Sequence, residues 1–389
     1  MSSASIIARC ILVCVLATPF GTTGNLGAQS LTWTGGPQLV NPSLSGEFYE
    51  YAPSAMVDPT DSSITDVWSC HNPQAGVIQD NIFYSQATSS GVSTEYSVLA
   101  PSSGNFDSWN TCDPSVVSSN VTYNGTAYQY VMFYTGNDCG SQHNQIGMAF
   151  SQSPTSSFTK LGSAPVISYS APNQCTLGGD WGVGQPSVTS IDGEGRFLVF
   201  YTVGTGEDAT IANGIVVSSG CYAYVSEVDY VSSSNTASIA WTNALPTSGL
   251  SSSDCGLHNY DVVYSAANDT FYAVGQDAAA VTYFPTFISD HLNLYSLPGT
   301  NVWNGGGSWT YLGTITPATT GYSRNHDAGL LRTIYGELPT SGQITVMGTN
   351  GCESTSTGGG SSTGPCNNNF SDPQSWLATY RLYTMTGIL

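Results

Sequence analysis

The segment CDPSVV at 112–117 is followed by YVMFYTG at 130–136 and NQIGMAFSQS at 144–153. Each run has the length of a β-strand, alternates loosely with period two, and is bounded by Gly, Asn, Asp or Ser. The set recurs along the chain. YAPSAM at 51–56 leads into DVWSC and DNIFYSQAT, and GQPSVT at 184–189 leads into FLVFYTV and NGIVVSSG. Two weaker copies follow: HNYDVVYSAANDTFYAVGQ at 258–276, and RNHDAGLLRTIYGE at 324–337, which runs on into QITVMGT. The five starts fall near residues 52, 113, 185, 260 and 326, and no helical stripe of useful length interrupts them.

Short strands repeated at this period describe propeller blades, which bury their faces only against neighbours, so the ring must close. The sequence therefore predicts an all-β, disulfide-stabilised, five-bladed β-propeller. WLATYRLYTM at 376–385 supplies the last strands, and LTWTGG at 31–36 pairs with it to fasten the ring. A β-sandwich is the competing fold, but it leaves five similar strand starts unexplained.

Composition narrows the function. Net charge is −20, with six Lys plus Arg, so the clustered cations that neutralise phosphates are missing and nucleic-acid binding is excluded. Charged residues are only 8% of the chain, but 40% are hydrophobic, including 23 Tyr, 13 Phe and 8 Trp, enough to build a large core. A neutral polyhydroxyl substrate suits such a surface.

Residues 1–28 read as an export signal, with Arg9 ahead of an apolar run from Cys10 to Pro19 that is too short to span a bilayer. Residues 29–389 are then one secreted, monomeric domain with no membrane partner. Eight cysteines remain after the signal, and an even number in an exported chain implies disulfides, though spacing does not select the pairing. Cys352 and Cys366 flank a Gly/Ser/Thr loop that they could close.

Innermost strands of a propeller begin at one mouth of the central channel, so the five starts converge there. On this reading Ala52, Asp113, Gln185, Asn259 and Asn325 are equivalent. Asp113, Asp261 and Asp327 are the candidate catalytic carboxylates, because acid–base work needs carboxyl groups. Glu50, Tyr51, Asp180, Trp181, Gln185, His258, Asn259, Arg324 and Asn325 are candidate substrate contacts. Amides bond hydroxyls, and aromatic faces stack on sugar rings. A calcium ion is expected in the channel near His326, since several carboxylates gather there with few cations.

At DPSVV, YVMFYTG and IGMAFSQSPTSSFTKLGSAPVI (146–167) the sequence resembles the second blade of the family 43-like glycoside hydrolases, the furanosidase and xylosidase propellers. NHDAGL at 325–330 resembles that family's segment carrying a histidine near a channel cation, which His326 would match. The resemblance implies a secreted glycoside hydrolase acting on arabinan- or xylan-type carbohydrate, with Asp113 as the carboxylate that tunes the site. The chain departs from the pattern at two places. Ala52 stands where the general base is expected, and Gly184–Gln185 where the general acid is expected. A non-catalytic carbohydrate-binding propeller is therefore the alternative, and a structural surface protein a third reading.

Overall fold

The computed structural model describes residues 31–40, 50–73, 79–139, 143–172, 175, 180–250, 257–277, 288–351 and 380–389. The proposed export signal and the Cys352–Cys366 loop lie outside them. The fold is a β-propeller built from antiparallel meanders. The innermost strands are Tyr51–Val57, Asn110–Tyr123, Gly182–Ser190, Tyr260–Ser265 and Arg324–Arg332. Each touches the next in that order, and Arg324–Arg332 returns to Tyr51–Val57. At that return Leu331 pairs in parallel with Ala55, and Arg332 with Met56.

Closure is made as the sequence predicts. Thr32–Trp33 and Gln38–Val40 both pair with the last strand, Arg381–Ile388, placing an N-terminal edge on the C-terminal meander.

Period-two alternation explains the core. Val116, Met132 and Tyr134 point to the first meander and pack on Met56, Trp68 and Tyr84. Their neighbours Val117 and Phe133 point the other way and pack on Val188, Phe197 and Val199. Leu198 and Phe200 then meet Val262 and Phe271, Val263 and Val274 meet Leu330 and Val346, and Ala55 and Val67 meet Met347 and Leu382. Every seam of the ring thus has its own apolar filling. Trp68 belongs to this core and is fully buried.

The serines of the repeated Pro-Ser steps lock the seams. Ser54 Oγ accepts the Val116 N–H, Ser115 Oγ accepts that of Val188, and Ser187 Oγ accepts that of Val262. In the fourth meander Asp261 takes the serine's place, and its Oδ2 accepts the Leu330 N–H at 2.6 Å. Gly329 stands there in the fifth; a Cβ on it would lie 2.0 Å from the Pro53 carbonyl oxygen, so only glycine permits this approach.

Two disulfides are described, Cys70–Cys112 between the first and second meanders and Cys139–Cys175; Cys221 is also disulfide-bonded. The Cys70–Cys112 link closes a separation of 42 residues. Loop-closure entropy puts such a link at about 4 kcal/mol. The Cys70→Ser/Cys112→Ser variant is expected to lose most of that in denaturant unfolding. A midpoint equal to the parent's would show that the seam needs no covalent tie.

Candidate active site

Five non-glycine residues with left-handed backbone ring one open pocket. They are Ala52 (φ 49°), Asp113 (46°), Gln185 (55°), Asn259 (42°) and Asp327 (32°). Such φ values cost an L-residue roughly 1–2 kcal/mol each. The cost is plainest at Ala52, which has no polar side chain to compensate and precedes a proline, where extended backbone is preferred. Strand pairing slips at these positions, between Tyr51 and Ser54, Cys112 and Ser115, Gly184 and Ser187, and His326 and Gly329. Each slip is a bulge, and bulges re-aim a side chain. The repeat spends its strain on turning five side chains toward one pocket.

The fifth member of this ring is Asp327. The sequence reading placed Asn325 there, two residues early. Four of the five left-handed residues lie three positions before an N–H that the previous meander's side chain accepts: Val116, Val188, Val262 and Leu330. That spacing selects Asp327. Asn325 is fully buried instead, accepting from the Tyr383 hydroxyl and donating to the Asp290 carbonyl.

Asp113 and Asp327, on the second and fifth meanders, both line the pocket. Burial pushes the Asp113 carboxyl up to about 7, and the charge of Asp327 adds to the rise; the Thr135 hydroxyl and Gln185 N–H oppose it. Asp113 is half-buried, so it remains reachable from the pocket. Gln185 donates its N–H to Thr135 Oγ1 and accepts the Asn259 N–H on Oε1. Asn259 Oδ1 is buried with no hydrogen-bond partner, an acceptor left for a hydroxyl.

Asp261 also lines the pocket, but its carboxylate is consumed by structure. Oδ1 accepts from Ser187 Oγ at 2.6 Å, and Oδ2 accepts from Leu330 N and from the Arg332 guanidinium. Arg332 is fully buried in the channel and also donates to Ser115 Oγ and the Val188 carbonyl. This ion pair reaches four meanders. The expected catalytic role for Asp261 gives way to that of an inter-strand anchor.

Beside the pocket a hydrogen-bonded chain runs from Asp327 through His326 Nε2 (2.9 Å), His326 Nδ1 to Gln276 Oε1 (2.6 Å), and Gln276 Nε2 to His258 Nδ1 (3.1 Å). Burial presses His258 down to about 4, with His326 adding to the fall and Asp327 opposing it, so His258 is neutral and accepts from the amide. Tyr380 stacks on His326, and Tyr51 lies against Tyr380 while its hydroxyl donates to Asp80 Oδ2. Trp181 lies 6.1 Å from His258, and both are partly exposed. Of the sequence candidates, Gln185 and Asn259 line the pocket, while Tyr51, Trp181 and His258 stand in the aromatic and imidazole contacts beside it. Asp80, Gln276, Thr135 and Tyr380 share these contacts, and the sequence reading does not single them out.

The remaining candidates lie elsewhere. Asp180 Oδ1 accepts the Gly206 N–H and holds a loop. Arg324 is fully buried and donates to the Ile288 carbonyl. Glu50 is fully buried beside His71 and Glu95. None of these three lines the pocket. The expected calcium near His326 does not fit the residues present. Both ring nitrogens of His326 are committed, to Asp327 and to Gln276, leaving neither to hold a water on a cation. No step is therefore routed through a channel metal.

No protein-family model matches the chain, and no curated protein is similar to it in sequence. Solved structures are similar in fold. A family 117 glycoside hydrolase of the marine bacterium Zobellia galactanivorans superposes with a TM-score of 0.55 at 8% identity, covering 93% of this chain and 91% of that one. The catalytic domain of a GH62 α-L-arabinofuranosidase of Coprinopsis cinerea gives 0.52 at 12% identity, covering 92% and 97%. A GH43_1 enzyme of Xanthomonas citri gives 0.51 at 9%, covering 91% and 90%. The chain has the β-propeller fold of these glycoside hydrolases over nearly its whole length.

Proposed function

We propose that the protein is a secreted glycoside hydrolase whose five meanders are five blades and whose reaction takes place in the pocket they ring. The observation that carries this is the pairing of Asp113 with Asp327. One carboxyl is held near neutrality by burial and by the other's charge, and the other faces an imidazole. Glycoside hydrolysis requires one carboxyl group that gives a proton and a second that takes one. Asp113, protonated, donates to the leaving glycosidic oxygen. Asp327 takes the proton of the attacking water as the new bond to the anomeric carbon forms and the glycosidic C–O bond breaks. Asn259 Oδ1, Gln185 and the Trp181–His258 wall bind hydroxyls and a ring face.

The substrate class is neutral carbohydrate of the arabinan or xylan type, consistent with a chain that has few cations. Disulfides and an N-terminal apolar run fit an oxidising, extracellular setting. The second reading, a propeller that binds such glycans without cutting them, rests only on the absence of carboxylates at Ala52 and Gln185.

Purified protein is expected to release sugar from at least one of arabinan, xylan and the aryl furanosides and pyranosides of arabinose and xylose. Binding on a glycan array without any release from these would sink the hydrolase and leave the second reading standing.

A further inference from the structure

Glu50, His71 and Glu95 form a closed group away from the pocket. Their exposures are 0%, 3% and 2%, and one ligating atom from each lies within 4.8 Å of the others. They come from three parts of the first meander: the residue before Tyr51–Val57, the end of Thr65–His71, and the residue before Tyr96–Leu99. His71 Nδ1 lies against the Asn72 carbonyl and must carry the hydrogen. Its Nε2 then presents a lone pair, 3.3 Å from Glu95 Oε1. A lone pair facing a carboxylate is repulsive as it stands.

Glu50 supplies an independent sign. Both its oxygens are buried with no hydrogen-bond partner, although it sits beside a second carboxylate. The charge of Arg381 acts on Glu50, but burial and Glu95 outweigh it and raise its proton affinity. An uncompensated buried carboxylate is among the most expensive features a fold can hold.

We infer that Glu50, His71 and Glu95 bind a divalent zinc-class ion through Glu50 and Glu95 oxygens and His71 Nε2. The chemistry is consistent at each donor. Zinc takes imidazole and carboxylate ligands in a tetrahedral set, commonly three from the protein and one water. A ligating histidine typically donates its other ring N–H to a carbonyl or carboxylate, as His71 Nδ1 does. Burial also favours the neutral imidazole that ligation needs. Two carboxylates balance the ion's charge. With so little surface exposed the ion is structural, and it ties three strand ends of the first meander beside Tyr51.

The test is zinc chloride titrated calorimetrically into full-length protein freed of metal on a chelating resin. One equivalent per chain is expected, at micromolar affinity or tighter, with a rise in Tm of several degrees. Glu50→Gln should weaken binding at least 100-fold, while Asp113→Asn should leave it unchanged. X-ray absorption of the zinc-loaded parent keeps the test valid if Glu50→Gln does not fold. A nitrogen and oxygen shell that includes imidazole supports the site, and a sulfur shell overturns it. Failure of the parent to bind stoichiometric zinc, or unaltered binding by a folded Glu50→Gln protein, overturns it as well.

Discussion

Asp113→Asn is expected to lower turnover about 10²–10⁴-fold while making the protein more stable at alkaline pH. The first part follows from loss of a positioned general acid. The second follows from linkage. The Asp113 carboxyl lies at about 7 in the fold against an ordinary value of 3.8. A raised carboxyl contributes its full stability where it is protonated in both states, below about pH 4, and that stability is lost as pH rises through about 7. The difference amounts to roughly 4 kcal/mol as an upper figure. Asparagine keeps the shape without the charge, so the variant's Tm should equal the parent's at pH 4 and exceed it at pH 8. In the parent, turnover should fall above about pH 7 as Asp113 ionises. Asp327→Asn removes the second cause of the rise, and should therefore move any residual alkaline limb to lower pH. Unchanged turnover in Asp113→Asn would remove the acid role. A Tm no higher than the parent's at pH 8 would show that the carboxyl is not held protonated.

That activity and stability should move in opposite directions is a property of the whole ring. Left-handed backbone at Ala52, Asp113, Gln185, Asn259 and Asp327 costs stability at five places and aims five side chains at one pocket. Only two of those side chains carry the charge that acid–base chemistry needs. The ring geometry is thus conserved within the chain even where, at Ala52, no functional group uses it.

Much of this architecture is legible in the sequence alone. Three Pro-Ser steps and two weaker copies predict the repeat, because four of the five innermost strands carry a bulge and four carry an apolar pair three residues after the left-handed position. The fifth start was misread by two residues because RNHD at 324–327 mimics HNYD at 258–261. The apolar pairs held the correct register: Ala55–Met56, Val116–Val117, Val262–Val263 and Leu330–Leu331 all begin three residues after a left-handed position. Aligning on them selects Asp327. Asp80, Gln276 and Thr135 carried no such mark. They come from second-strand ends and connecting segments, and reach the site only through pairing across meanders. Cysteine pairing was likewise unreadable, since Cys70 and Cys112 become neighbours only when the first seam closes.

Asp261 shows how a residue at the right place can have the wrong job, and its partner gives the largest stability effect expected here. Arg332→Met should destabilise the protein by about 3–5 kcal/mol, because it strands a buried carboxylate without its cation. Arg332 is fully buried, and Asp261 is 7% exposed. The loss also frees Ser115 Oγ and the Val188 carbonyl, so three seams weaken together. Adding Asp261→Asn to Arg332→Met should recover part of the loss, since an amide keeps an acceptor for Leu330 N without carrying charge. Asp261→Asn alone should cost stability and leave turnover per folded molecule within a few-fold of the parent. Denaturant unfolding of the four proteins in this cycle measures the coupling. If the double variant is as unstable as the sum of its parts, the ion pair is not what holds the channel. If Asp261→Asn abolishes turnover while folding normally, Asp261 rather than Asp327 belongs in the chemistry.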